Sequence, residues 1–238
     1  MRSEKPTITI IINNLIISPQ KWSAICRARD MKLYIISNRL PVKVSEKNGT
    51  FSFTRSEGGL ATGLDSLQTA YEKHWIGWPG ICVDNDSDKQ AIGEKLEELN
   101  FHPIFLSDTQ IKNYYEGYSN STIWPLCHYF FAYTLYKDTF WQAYREVNRR
   151  FCETICRLIG PEDKVWVQDY QLMLLPGMLR EAVPDLCIGY FHHIPFPSYE
   201  LFRILPERAE ILKGLLRADF TLTTTCGTLS VRQNVCCA

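Results

Sequence analysis

From Met31 onward, short apolar runs alternate with longer segments whose apolar residues recur every three or four positions. The short runs predict buried strands, and the recurrence predicts amphipathic helices. The predicted strands are 33–36, 75–81, 103–106, 165–167 and 188–191, and the predicted helices are 60–71, 89–99, 140–155 and 172–182. Ser107 is predicted to cap a further helix that has Asp108 in its first turn. Repeated strand–helix units predict an α/β fold, with a doubly wound parallel sheet covered by helices on both faces.

The N-terminal segment departs from this pattern. We interpret residues 1–30 as an uncertain extension, because Met31 directly precedes the first clean strand signal. An added edge strand at 8–12 is the alternative. The apolar run 7–18 is interrupted by Asn13 and Asn14 and has no small-residue cleavage site, so it is not typical of a secretory signal. No apolar run in the sequence approaches the roughly 18 residues that would span a bilayer.

Composition limits the classes of function. The 238 residues carry 26 Lys plus Arg and 26 Asp plus Glu, so the formal net charge is zero. This balance removes the main electrostatic reason to expect a nucleic-acid or membrane partner. Nine cysteines, an odd number without CxxC spacing, predict reduced thiols in a cytoplasmic protein rather than a disulfide framework or a zinc site.

Chemically versatile residues follow the predicted strands, at the edge where open α/β sheets bind ligands. Arg39 follows the first strand, and its planar guanidinium suits phosphate; a surface ion pair is the alternative. Asp169 follows strand 165–167, where a carboxylate can accept bonds from sugar hydroxyls or act as a base; a helix N-cap is the alternative. Gly58 and Gly59 precede a predicted helix, where backbone N–H groups can approach an anion; a plain turn is the alternative.

A histidine and several aromatic residues complete the set of candidates. His193 lies in a loop stiffened by Pro195 and Pro197, which favours a fixed ring position over a purely structural histidine. Metal binding by His192 and His193 is not expected, because neighbouring side chains point apart and no third ligand has suitable spacing. Aromatic residues clustered at Gly and Pro turns suit sugar rings, although ordinary core packing is the alternative. They are Trp75, Trp78, Tyr114, Tyr115, Tyr118, Trp124 and Tyr129.

These residues belong to motifs that resemble the trehalose-6-phosphate synthase family of retaining glucosyltransferases. The motifs, in order, are Ser37-Asn38-Arg39-Leu40-Pro41-Val42, Glu57-Gly58-Gly59-Leu60, Trp78-Pro79-Gly80, Tyr114-Tyr115 with Trp124-Pro125, Asp169-Tyr170-Gln171-Leu172 and His193-Ile194-Pro195-Phe196-Pro197. The resemblance runs from about Met31 to Phe220. It implies a Rossmann-like domain at 31–220, the N-terminal half of a two-domain GT-B glycosyltransferase. Such an enzyme transfers glucose from UDP-glucose to glucose 6-phosphate with retention.

The resemblance also implies roles on the acceptor side. Arg39 resembles a ligand of the acceptor phosphate, with Tyr115 beside it. Asp169 resembles the catalytic-site group that holds the acceptor hydroxyls. Trp78 and Trp124 resemble walls of the same pocket.

On the donor side, Gly58 and Gly59 resemble a mobile loop that closes on UDP-glucose. His193 resembles a catalytic residue that steadies the donor glucose near the bond to be broken. No cofactor and no metal are implied, since UDP-glucose is a co-substrate.

Beyond Phe220 the sequence departs from the family, which continues with His-Thr-Tyr-Asp-Tyr-x-Arg-His-Phe. Threonine codons begin with AC, so the threonine-rich stretch here, translated in a shifted frame, permits that family sequence. We interpret residues 221–238 as an aberrant tail, from a frameshift or a splice error, and expect the donor-binding domain to be missing and the chain alone to be inactive. The alternative is a noncatalytic regulatory or sugar-phosphate-binding subunit of a trehalose synthase complex. The expected partners are glucose 6-phosphate and UDP-glucose, together with a second copy of the chain or the other subunits of such a complex.

Overall fold

A computed structural model describes residues 10–12, 15–17, 31–47, 49–55, 71–225 and 228–233. Gly58, Gly59 and all but the last residue of the helix predicted at 60–71 lie outside these residues. No helix within the described ranges is both long enough and apolar enough to cross a membrane.

The described elements follow one another in the order predicted for an α/β chain. They are β1 (Ile10–Ile12), β2 (Leu15–Ile17), β3 (Lys32–Arg39), β4 (Val42–Lys47), β5 (Thr50–Arg55), β6 (Glu72–Trp78), α1 (Asp86–Glu97), β7 (Phe101–Pro103), α2 (Asp108–Gln110), a π-helix (Ile111–Ile123), α3 (Trp124–Cys127), a 3-10 turn (Phe131–Tyr133), α4 (Asp138–Leu158), β8 (Lys164–Gln168), a 3-10 turn (Tyr170–Leu172), α5 (Leu175–Ala182), β9 (Cys187–His192), α6 (Tyr199–Phe202), α7 (Arg208–Leu215), β10 (Phe220–Thr225) and β11 (Thr228–Gln233).

Within the described residues, the main sheet has seven strands in the order β11-β10-β9-β8-β3-β6-β7. All of its neighbouring strands are parallel except β10 and β11, which are antiparallel. The sheet begins in its middle with β3, adds β6 and β7 on one side, and then adds β8, β9 and β10 on the other. This is the Rossmann strand order, and it reverses between β3 and β8. The predicted doubly wound parallel sheet is confirmed.

The central strand β3 separates two apolar cores. Tyr34 and Ile36 pack into the core that contains α4 and α5, whereas Ile35 packs with Ile92 and Leu96 of α1. All five side chains are at most 2% exposed. Burial of each such aliphatic side chain contributes about 1.5–3 kcal/mol. Because successive strand residues face opposite sides, β3 requires helices on both faces, as the apolar run predicted.

Several predicted elements are observed with different ends. The strand predicted at 103–106 ends at Pro103, since proline lacks the N–H donor that a ladder needs. The helix predicted at 172–182 begins as a 3-10 turn and becomes α-helical at Leu175, with Pro176 in its first turn. Ser107 caps α2 as predicted, in a capping box with Gln110. The β4–β5 hairpin and the π-helix were not predicted.

The N-terminal extension and the C-terminal tail, for which the sequence predicted no definite structure, both contain strands. Ile10–Ile12 pairs with Leu15–Ile17 in a separate two-stranded sheet, not at the edge of the main sheet. Phe220–Thr225 pairs in parallel with β9, and Thr228–Gln233 returns antiparallel to it. Strand pairing does not test a reading frame, so the aberrant origin of residues 221–238 stays a hypothesis.

A hydrogen-bonded histidine pair joins β6 to β7. His74 Nδ1 and His102 Nε2 are 2.9 Å apart, and the rings are stacked. Burial lowers the pKa of His74, and burial together with the neighbouring His74 lowers the pKa of His102 to about 4. In the folded chain these two imidazoles therefore stay neutral at a pH where the same imidazoles accept protons in the unfolded chain.

We expect the unfolding free energy to fall as the pH is lowered from about 6.5 to about 4. Over that window the unfolded state binds more protons at these rings, so acid favours unfolding. His102→Gln should reduce the loss between pH 7 and pH 5 by on the order of 1 kcal/mol, measured by urea denaturation. His128→Gln, which removes an imidazole outside the pair, is the control. Equal pH dependence in wild type and His102→Gln would contradict the prediction.

Candidate functional site

Four of the predicted site residues lie at the carboxyl ends of four adjacent parallel strands. Trp78 ends β6, Arg39 ends β3, Asp169 follows β8 and His193 follows β9. In the sheet these strands are neighbours in the order β6-β3-β8-β9. With strands about 4.8 Å apart, the four positions span about 15 Å. Their centre is the gap between β3 and β8, the switch point where open α/β sheets bind ligands.

The exposed guanidinium of Arg39 is held by an aromatic ring and a glycine. Its Cζ lies 5.5 Å from the centroid of the Trp78 ring, within cation–π range. Gly80 has a φ of +85°, and a Cβ there would come within 2.7 Å of Arg39 Nε and 2.8 Å of Cζ. The backbone at this position therefore favours glycine, and a Cβ there would displace the guanidinium from its present position. Trp78 is itself fixed, because its indole Nε1 donates to the Ile81 carbonyl at 3.1 Å.

Asp169 has a backbone conformation that residues other than glycine rarely adopt. Its φ is 71° and its ψ is 175°. This region costs on the order of 1–3 kcal/mol for a residue with a Cβ and persists where surrounding contacts fix it. Strain of this kind is concentrated at functional sites. The conformation orients the Asp169 carboxylate toward the loop that follows β9.

The Asp169 carboxylate joins two loops. Its Oδ1 accepts from the backbone N–H of Tyr170 at 2.9 Å and from that of His193 at 3.1 Å. Burial raises the pKa of Asp169, and the two N–H donors and the nearby His193 partly offset this rise. Oδ1 therefore caps the turn, which is the N-cap alternative that the sequence left open. This role is compatible with the other alternative, ligand binding at the edge of the sheet.

Five of the predicted aromatic residues divide into two groups: Trp75, Tyr114 and Tyr118 are buried in the apolar cores, which is the core-packing alternative, whereas Trp124 and Tyr129 are exposed. Tyr115 lies on the π-helix, close to Tyr170. The pKa of Tyr170 is raised by burial, then by the charge of Asp169, and to a smaller extent by Tyr115. The Tyr170 hydroxyl donates to Asn120 Oδ1 at 2.9 Å, which ties the Asp169 turn to the π-helix. Trp124 is 39% exposed and stacks on His128, with ring centroids 4.0 Å apart.

Comparison with known proteins decides the family. A model of glycosyltransferase family 20 matches residues 31–225. The chain belongs to glycosyltransferase family 20. The matched range contains all four strand-end residues of the switch point, and the resemblance found in the sequence is confirmed.

Curated proteins and solved structures that are similar to this family 20 chain include longer trehalose-phosphate synthases. It is 47% identical over 186 residues to the trehalose-6-phosphate synthase of Mycobacterium avium, covering 78% of this chain and 38% of that protein. Among solved structures, it is similar to an α,α-trehalose-phosphate synthase (UDP-forming) from Burkholderia vietnamiensis, with a TM-score of 0.65 and 28% identity over 82% of this chain and 40% of that one. It is also similar to the N-terminal domain of a Candida albicans trehalose-6-phosphate phosphatase, with a TM-score of 0.65 and 29% identity over 80% and 39% of the two chains.

The chain thus spans about two fifths of the length of these relatives, in their N-terminal part. The sheet and its flanking helices match the N-terminal Rossmann-like half of a GT-B glycosyltransferase, as predicted. Gly58 and Gly59, within the family 20 match, lie outside the described residues, so their donor-loop role stays a prediction.

A groove of about 750 Å³ lies away from the switch point, beside the loop after β7 and the flank of α4. Its basic side chains already have hydrogen-bond partners: Lys89 bonds Asp86, Arg150 bonds Gln110, and Arg157 bonds Thr154. At the switch point, in contrast, no carboxylate among the described residues pairs with Arg39. We therefore assign the candidate site of this family 20 chain to the switch point.

Three residues of the site region were not singled out from the sequence. Gly80 was visible only as part of the Trp78-Pro79-Gly80 motif. Asn120 gave no signal, because its contact with Tyr170 spans fifty residues. Tyr144 was assigned to the apolar face of a helix, and its hydroxyl contacts depend on tertiary packing.

Proposed function

We propose that this chain forms the acceptor-side half of an α,α-trehalose-phosphate synthase, which transfers glucose from UDP-glucose to glucose 6-phosphate with retention. One observation carries the proposal: Trp78, Arg39, Asp169 and His193 end four adjacent strands around the switch point. The names of the family 20 relatives, which include UDP-forming synthases, support the same reaction.

On the acceptor side, the two ends of glucose 6-phosphate require different groups. The Arg39 guanidinium can make two parallel N–H bonds to phosphate oxygens, and its stacking on Trp78 orients the fork. The Asp169 carboxylate has one oxygen bound to backbone N–H groups, which leaves Oδ2 to accept from an acceptor hydroxyl. Tyr115 and Trp124 supply flat apolar surface for the sugar ring.

On the donor side, we assign His193 to the glucose of UDP-glucose. Retention then follows from attack on the face from which UDP departs, with the departing phosphate oxygen taking the acceptor proton. The protein contributes orientation and charge stabilisation rather than a side-chain nucleophile. No cofactor and no metal take part in this proposal, and the oligomeric state and membership of a synthase complex stay predictions.

A second candidate is a noncatalytic sugar-phosphate-binding or regulatory subunit. It is favoured by the similarity to the N-terminal domain of a protein named a phosphatase, which shows that this fold is not confined to proteins named synthases. Such a subunit would bind glucose 6-phosphate and would also co-purify with a full-length synthase.

We expect the 238-residue polypeptide to bind glucose 6-phosphate but not to release UDP from UDP-glucose. Among the predicted site residues that the structure describes, Arg39 supplies the positive charge at the carboxyl edge of the sheet. One guanidinium cannot neutralise both an acceptor phosphate and a departing diphosphate. Calorimetric titration with glucose 6-phosphate, with glucose as control, tests binding, and a coupled UDP assay tests turnover.

Each result has a distinct meaning. Tighter binding of glucose 6-phosphate than of glucose supports the acceptor assignment, and absence of such binding contradicts it. UDP release that depends on glucose 6-phosphate contradicts the half-site proposal. Co-purification with a full-length synthase, set beside binding, favours the second candidate.

A further inference from the structure

The strained conformation of Asp169 requires support on both sides along the chain. Before it, β8 is paired with β3 and β9, and the Asp169 N–H itself donates to the Phe191 carbonyl at 2.7 Å. After it, residues 170–173 leave the strand ladder in a 3-10 turn, in which the Leu172 N–H donates to the Asp169 carbonyl at 3.1 Å. The Tyr170 and Gln171 carbonyls and the Met173 N–H are bonded from outside the turn.

Two buried side chains of α4 supply those partners. The Tyr144 hydroxyl donates to the Tyr170 carbonyl at 2.7 Å and accepts from the Met173 N–H at 3.0 Å. Asn148 Nδ2 donates to the Gln171 carbonyl at 3.1 Å. Both Tyr144 and Asn148 are 0% exposed. One helix therefore fixes three of the four residues that directly follow Asp169.

We propose that Tyr144 is a positioning residue for the acceptor site, assisted by Asn148. This Tyr144–Asn148 clamp holds turn 170–173 and thereby keeps Asp169 in the conformation that directs its carboxylate to the His193 loop and to the acceptor. The inference rests on the proposed function, since that proposal assigns Asp169 to the acceptor.

The hydroxyl, rather than the ring, carries this role. Phenylalanine would fill the same volume among the rings of Tyr114, Tyr118 and Trp141 that pack around Tyr144. It would leave the Tyr170 carbonyl and the Met173 N–H buried without a partner. A shift of the turn toward water can satisfy both groups, and the same shift lets Asp169 relax to an ordinary φ. Relaxation removes Oδ1 from the N–H groups of Tyr170 and His193.

Tyr34 provides a matched control. Its side chain is also buried, at 2% exposure, and its hydroxyl donates to the Leu158 carbonyl at 2.9 Å. Tyr34 lies near the start of β3, at the amino edge of the sheet and away from Asp169. Tyr34→Phe therefore removes a comparable hydrogen bond without touching the clamp.

The test is amide hydrogen exchange, followed by NMR on the full 238-residue chain. In Tyr144→Phe we expect the exchange rates of the Tyr170 and His193 amides to rise relative to wild type. This rise should be at least about tenfold larger than the rise for amides in the strands. In Tyr34→Phe we expect those two amides to follow the strands. If Tyr144→Phe does not fold, Asn148→Ala is measured in its place, with the same direction of change expected.

Glucose 6-phosphate affinity provides the second readout. Tyr144→Phe should weaken it on the order of tenfold, and Tyr34→Phe should leave it unchanged. The clamp is overturned if exchange at His193 and Tyr170 stays as in wild type, or rises equally in Tyr34→Phe. If wild type binds no glucose 6-phosphate, the acceptor assignment fails, whereas exchange at His193 still decides whether the clamp exists.

Discussion

Asp169→Gly should be more stable than Asp169→Ala, by about 1–3 kcal/mol in the free energy of unfolding. Both variants lose the carboxylate that bonds the N–H groups of Tyr170 and His193, so the comparison isolates the backbone. At a φ of 71° and a ψ of 175°, alanine keeps the strain of a Cβ and glycine does not. Urea denaturation followed by circular dichroism measures the difference. Neither variant should retain affinity for glucose 6-phosphate.

Asp185 provides the control for this comparison. It is exposed, and it is not among the described non-glycine residues with a positive φ. Asp185→Gly should therefore be slightly less stable than Asp185→Ala, which is the usual order. An Asp169→Ala variant as stable as Asp169→Gly would show that the backbone at this position is not strained.

Arg39→Lys should weaken glucose 6-phosphate binding by about tenfold to a hundredfold and leave glucose binding unchanged. Hydrogen bonds to charged groups contribute about 1.5–3 kcal/mol, and each 1.4 kcal/mol is a factor of ten in affinity. Lysine keeps the charge but loses the paired N–H donors and the planar stacking on Trp78. Lys43→Ala, which removes an exposed positive charge from β4, is the charge control. Binding of glucose 6-phosphate that survives Arg39→Lys would contradict the phosphate assignment.

Gly80→Ala tests the position of the guanidinium without changing its charge. A Cβ there would collide with Arg39 and displace the fork from Trp78. We expect a loss of affinity comparable to that of Arg39→Lys. Gly49→Ala is the matched control, because Gly49 has a similar φ of +74° but nothing within 4 Å of the added Cβ. Equal affinities in both alanine variants would argue against a role for the contact between Gly80 and Arg39.

The sequence predicted the parts of the molecule that depend on local patterns. Short apolar runs located β3 and β8, because a strand buried on both faces has few polar residues. The ends of those runs then gave Arg39 and Asp169 as candidates. The backbone of Asp169, with a φ of 71° and a ψ of 175°, had no such signal, since this region is nearly confined to glycine and contacts from distant residues impose it here. The π-helix was missed for a related reason, because its bonding differs from the 3.6-residue period used to predict helices.

The reversal of strand order between β3 and β8 has a consequence for folding. Strand β3 pairs on one side with β6, which follows it closely, and on the other with β8, whose paired residues are about 130 positions further along. Contacts of such separation form late, because the intervening loop must first be closed. On the ribosome, one edge of β3 would remain open until Gln168 had been made. Pairing of β8 with β3 therefore brings Asp169 to the strand end beside Arg39, whereas His193 joins the site only when the later strand β9 pairs with β8.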